Sequence, residues 1–149
     1  MYSCLMASIN DILTRLDTLS VSQEAQEALI DSSDNIRDAQ RDQLLHGIKK
    51  DGTGIGKYRN KKYAQKKFDQ NPLAGLGNVD WKLTGALHKD IFIDVRSDVF
   101  VIDSADSKTG DLIKKYGDPF GLTPKSRETV IKEKLQENLV KRIKNKLNL

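Results

Sequence analysis

Between Tyr58 and Phe68 the chain interleaves aromatic rings with cations: Tyr58, Tyr63 and Phe68 alternate with Arg59, Lys61, Lys62, Lys66 and Lys67. Rings that stack on bases, set beside cations that meet phosphates, make up the grooves of proteins that hold single-stranded nucleic acid. A basic helix is also, more simply, a solvated face. If Asn60 caps a helix here, Tyr63 and Lys67 fall on one side with Phe68 close by, which makes the aromatics anchors to a core. Lys57, Arg59, Lys61, Lys62, Lys66 and Lys67 are therefore a candidate patch facing either a protein partner or DNA.

Other constellations fail on spacing. Gly52-Thr53-Gly54-Ile55-Gly56-Lys57 invites a phosphate-loop reading, but the glycine required five residues before the Gly-Lys pair is Asp51, and Tyr58 stands where Ser or Thr is needed. The dinucleotide pattern fails as well, because Lys57 takes the place of its third glycine and no strand precedes the loop. His46 and His88 are the two histidines and Cys4 the one cysteine; such dispersal predicts no metal site and no intramolecular disulfide. His88 could be drawn beside Ser104 or Asp90 as a nucleophile constellation, yet no Gly-x-Ser-x-Gly turn supports it. The aspartates from Asp94 to Asp111 lack the ligand order of a calcium loop. No cofactor is expected.

The elements that must position these residues belong to one domain, as 149 residues with 38% hydrophobic and 31% charged side chains imply. No apolar run approaches a membrane span, Met1 to Met6 lack the features of a signal peptide, and the lone Cys4 makes the reducing cytoplasm the expected place of synthesis. The net charge of +4 conceals a segregation. Residues 1–47 carry 3 basic and 8 acidic side chains and residues 48–67 carry 8 and 1. Residues 68–123 carry 6 and 9, and residues 124–149 carry 8 and 3. Two basic blocks set into an acidic body permit head-to-tail contacts between copies as readily as nucleic-acid binding.

Periodicity predicts an α+β chain: a small antiparallel sheet built on a central hairpin, N-terminal helices, and a long C-terminal amphipathic helix. Residues 1–46 read as the helical part, with Leu5, Ile9, Ile12, Leu13, Leu16 and Leu19 on one helix face. A second helix capped by Ser20 or Ser22 is expected to run on to Leu44 and Leu45 and stop at Gly47. Residues 47–72 hold the glycine loop and the basic segment, which Asn71-Pro72 ends. Residues 73–122 form the hairpin core, where Ile91–Val95 and Val99–Ile102 are β-branched and aromatic runs separated by Arg96-Ser97-Asp98. Residues 123–149 form the last helix, whose Ile131, Leu135, Leu139, Ile143 and Leu147 recur every fourth residue; at 3.6 residues per turn this stripe wraps by about 40° per step and can touch two surfaces.

Tyr116, Gly117, Pro119, Phe120, Gly121 and Leu122 form a structural junction between hairpin and last helix. Gly117 suits a left-handed helix end, Asp118-Pro119 an extended or turn step, and Thr123-Pro124 an N-cap and first helical position. Phe120 and Leu122 are expected to pack inward and seat the last helix against the hairpin.

In order along the chain, Gly52 to Tyr58, Tyr63 with Lys66 or Lys67, Trp81-Lys82-Leu83-Thr84-Gly85-Ala86-Leu87-His88, the hairpin Ile91 to Ile102, and Leu112 to Leu122 resemble the small neck and tail-completion proteins of tailed bacteriophages. The resemblance spans about half of the chain and leaves residues 1–46 outside it. It implies a non-enzymatic virion protein without cofactor. Such a protein assembles as a homomeric ring at the head-tail junction or tail end, as connector, completion or terminator protein. Its partners would be copies of itself and neighbouring neck, portal or tail-tube proteins, with non-specific contact to DNA open to it and no membrane. The alternative is a basic nucleic-acid-binding accessory protein.

Overall fold

The computed structural model describes residues 9–96 and 99–149, and its architecture is α+β, 60% helical with one two-stranded antiparallel sheet. Helix α1 (Ile9–Thr18) leads to α2 (Val21–Asp31), whose Ser20 cap accepts a hydrogen bond from the Gln23 N–H. The helix expected to continue to Leu45 instead breaks at Ser32 and resumes as α3 (Ser33–Leu45). The cause is local: the Ser32 and Ser33 hydroxyls donate back to the Ala28 and Leu29 carbonyls, at 2.7 and 3.2 Å, and bend the chain between two helical runs.

Gly47 ends this region at φ 69°, and a Cβ there would lie 2.9 Å from the Val79 carbonyl, so both conformation and space require glycine. The next turn is pinned by Asp51, which accepts from the Thr53 N–H and hydroxyl; those bonds hold its carboxyl below the usual carboxylate range. As the sequence predicts, Asn60 caps α4 (Lys61–Gln70) by accepting from the Tyr63 N–H, and Asn71-Pro72 ends it. A short α5 (Ala86–Lys89) precedes the hairpin of β1 (Ile91–Arg96) and β2 (Val99–Ser104).

The hairpin register places Ile91 opposite Ser104, Ile93 opposite Ile102 and Val95 opposite Phe100. Side chains alternate across a strand, so these three pairs share the face toward the core. There Ile91 and Ile102 are buried, and Ile93, Val95 and Phe100 pack against the core. The opposite face carries Phe92, Asp94, Arg96, Val99, Val101 and Asp103. Ser97 and Asp98 of the expected turn lie outside the described residues, as does Leu5 of the first helical stripe.

After α6 (Thr109–Tyr116), the terminal helix α7 runs for 24 residues as Pro124–Val130, a π-helical Ile131–Leu135, and Gln136–Leu147. Thr123 and Pro124 take the N-cap and first-turn positions expected of them. The four-residue apolar step drifts on a regular helix, and the wider π turn coincides with the stretch between Ile131 and Leu135. Leu135 packs against the core and Leu147 is buried, while Ile131 and Val140 stay exposed. Helix α7 lies along α2 and also meets α1 and α3. Arg142 donates to Glu24 at 3.0 Å and to Asp31 at 2.9 Å, and Asn138 donates to the Ser32 hydroxyl at 2.8 Å. Among the described residues no helix is long and apolar enough to cross a membrane.

Candidate functional site

A polar network is buried next to the apolar core residues Val79 and Trp81. Asp80 is 1% exposed, and its carboxylate meets the Lys67 ammonium at 2.9 Å. It also accepts from the Asn71 amide at 2.8 Å, the Lys82 N–H at 3.0 Å and the Tyr58 hydroxyl at 3.2 Å. Lys67 also donates to the Lys82 carbonyl, and the Asn71 amide donates to the Leu45 carbonyl at 2.8 Å. Burial works to raise the Asp80 carboxyl, but the Asn71 and Lys82 hydrogen bonds and the Lys67 charge outweigh it and hold it below its ordinary value. Burial beside that carboxylate pushes the Tyr58 phenol up. One aspartate thereby ties α4, its exit, the loop before it and the segment leading to α5.

Lys67 is accordingly not part of an outward patch. It is 4% exposed and neutralises Asp80, because a buried carboxylate without a counter-charge would cost several kcal/mol. Lys61, Lys62 and Lys66 are exposed on α4, and Lys57 and Arg59, exposed as well, line a cleft of about 600 Å³. The cleft lies between the Lys57–Tyr63 stretch and α6, with Val79, Trp81 and Leu83 among its lining. Lys82, Lys108 and Lys115 also line it, and so do Tyr58, Tyr63 and Tyr116. Tyr58 and Tyr63 stack edge to face at 5.0 Å, and Lys115 sits 5.0 Å above the Tyr116 ring centroid.

Trp81 adopts φ 53°, a conformation that L residues with large side chains rarely take, and its ring meets Phe120 edge to face at 5.9 Å. Its indole N–H is buried and has no hydrogen-bond partner among the described residues. His88, also buried, donates from Nε2 to the Asp80 carbonyl at 3.1 Å; burial holds its pKa below the ordinary histidine value, so the ring is neutral near pH 7. Ser104 donates to the Leu87 carbonyl at 3.0 Å. His88 and Ser104 thus each bond backbone, in keeping with a polar side chain beside a hairpin. No group of three or more His, Cys, Asp or Glu among the described residues is placed to hold a metal ion.

The junction is held by two side chains that sequence reasoning missed. Gln40 is fully buried and Gln43 is 5% exposed. Gln40 accepts from the Gly121 N–H at 2.8 Å and donates to the Pro119 carbonyl at 3.5 Å; Gln43 donates to the Gly121 carbonyl at 2.9 Å and accepts from the Thr123 N–H at 2.9 Å. Two amides three residues apart on α3 thus read the backbone of 119–123 as a strand neighbour would. Around them Phe120 and Leu122 are buried, as the sequence predicts, Pro119 is buried with them, Gly117 takes φ 83° and Gly121 φ 126°. Tyr116 is half-buried against Gly56, where a Cβ would come within 2.9 Å of the ring. The signal for the glutamines was present, since Ile36, Gln40, Gln43 and Leu44 share a helical face that would otherwise be apolar.

No family model matches the chain, and neither a curated protein nor a solved structure matches it.

Proposed function

We propose that the chain is a non-enzymatic structural subunit of a tailed-phage virion, assembling as a homomeric ring at the neck or tail end. The observation that carries this reading is the hairpin. A two-stranded sheet leaves a row of unpaired N–H and C=O groups along each outer edge, and among the described residues neither strand has a second neighbour. Its outer face presents Phe92, Val99 and Val101, which are 42%, 53% and 38% exposed. Edges and face together suit strand addition by neighbouring copies.

The motif order from Gly52 to Leu122 supports the same reading, and the fold adds a physical reason for it. The junction is fixed to α3 by Gln40 and Gln43 and is followed by α7, so the angle at which α7 leaves the core is set by buried hydrogen bonds. Subunits of a closed ring need such fixed geometry, because each contact repeats around the circle. The ring's other partners would be neighbouring neck, portal or tail-tube proteins of the virion.

The test uses Phe92→Lys and Val101→Lys, which place charge on an exposed face and leave the core intact. The expected result is a folded monomer by circular dichroism and sedimentation, where the unaltered chain sediments as a ring. Unchanged sedimentation of both variants would remove the hairpin from the assembly surface.

A further inference from the structure

We propose that the cleft between the Lys57–Tyr63 stretch and α6 binds a phosphorylated ligand that carries a planar ring: a nucleotide, either free or as a unit of a single strand. Besides Lys67, five cations line it, Lys57, Arg59, Lys82, Lys108 and Lys115, and no carboxylate is among its lining residues in the described part of the chain. None of the five forms an ion pair among the described residues, although Arg37, Arg41, Lys50 and Arg142 elsewhere each have one. Lys67, at the cleft wall, is already neutralised by Asp80. Like charges gathered around about 600 Å³ repel one another unless an anion enters.

The lining also selects the anion. A carboxylate side chain brings one charge and would leave most of these cations unanswered, whereas each phosphate brings about one or two charges and several acceptor oxygens. The Tyr63 and Tyr116 rings line the same cleft: Tyr63 is 37% exposed and offers a surface on which a base can stack, while Lys115 lies over the Tyr116 ring, and a cleft of this volume falls within the range that holds nucleotide-sized molecules. The glycine turn at 52–56 takes no part as a phosphate cradle. Its Gly52 and Ile55 N–H groups donate to the Lys49 and Gly47 carbonyls, and the Thr53 N–H to Asp51. Selectivity would come from side chains: Lys82 and Lys115 reach the cleft from different segments, and among the described residues neither side chain forms a hydrogen bond. This reading does not depend on whether the chain assembles into a ring.

Trp81 is the single tryptophan and lines the cleft, so its fluorescence reports occupancy directly. The experiment titrates the full chain with ADP, ATP and a short oligo-dT strand at constant ionic strength, exciting only the indole. Saturable quenching by a nucleotide or by the strand is expected. Lys82→Ala and Lys115→Ala should each weaken binding about tenfold, the usual effect of losing one charged hydrogen bond, and Lys125→Ala, exposed on α7 and outside both the cleft and the α4 patch, should not. Quenching by ADP or ATP alone identifies a free nucleotide, and quenching by oligo-dT alone identifies a strand. The proposal is overturned if none of the three quenches Trp81. It is also overturned if poly-glutamate quenches and the phosphorylated probes do not, or if Lys125→Ala lowers affinity while Lys82→Ala and Lys115→Ala leave it unchanged.

Discussion

On the terminal helix Arg142 reaches Glu24 at 3.0 Å and Asp31 at 2.9 Å, with Glu27 at 3.7 Å, and Lys146 lies 3.7 Å from Glu24. Around the cleft Lys57, Arg59, Lys82, Lys108 and Lys115 have no such ion pair among the described residues. Counted along the sequence, both basic blocks looked equally available to a partner. Folding separates them: part of the C-terminal block answers the acidic N-terminal helices of the same chain, which raises the Arg142 pKa through its bond to Asp31, while the cleft cations stay unanswered. Charge segregation in a sequence therefore records internal docking as well as external partners.

That contrast can be broken from the inside first. Lys67→Met strips the buried Asp80 of its counter-ion and should lower stability by about 3–5 kcal/mol, the usual cost of leaving one member of a buried pair alone; urea denaturation measures it. Phe120→Ala removes a buried ring that packs on Trp81 and should cost about 3–4 kcal/mol, with ring formation impaired alongside. Normal stability with intact rings would remove the junction from the assembly account. Gln43→Ala leaves the Gly121 carbonyl and Thr123 N–H without partners, for a loss of about 1–3 kcal/mol in the same assay.

Weaker effects sharpen the comparison. His88 is held neutral, with its pKa depressed below the unfolded value near 6.5, so the stability it contributes is fully present above that value and is lost as pH falls through and below it. Thermal midpoints measured from pH 7.5 down to pH 5 should fall, and His88→Gln, which keeps a donor for the Asp80 carbonyl, should flatten that slope. Arg142→Ala should lower the midpoint by less than Lys67→Met, and by still less in high salt, because its network is partly exposed. Smallest of all, Lys82→Ala should leave stability within about 0.5 kcal/mol of the unaltered chain. A large loss there would mean that the cleft cations serve the fold rather than a ligand.

Much of the fold was legible because local rules govern it. The Asn60 and Thr123 caps, the Gly47 stop, the hairpin and the Phe120–Leu122 packing follow from residue type and spacing. The break at Ser32 was not, because serine back-bonding to the preceding turn competes with a helical pattern that continues on both sides of it. The site was legible in composition and hidden in geometry. Lys57, Arg59 and Lys67 are neighbours in sequence, yet only the packing of Asp80 decides that Lys67 turns inward. Lys82, Lys108 and Lys115 join the cleft from segments with no shared motif. Asp80 itself gave no sign, since a lone aspartate before tryptophan carries no periodicity.

Assembly is the claim on which the functional reading stands, and native mass determination of the full chain, paired with negative-stain microscopy, addresses it most directly. The account predicts a closed homo-oligomer of a single stoichiometry that images as a ring and is found in purified virions. A chain that stays monomeric across concentration and is absent from those particles would contradict it.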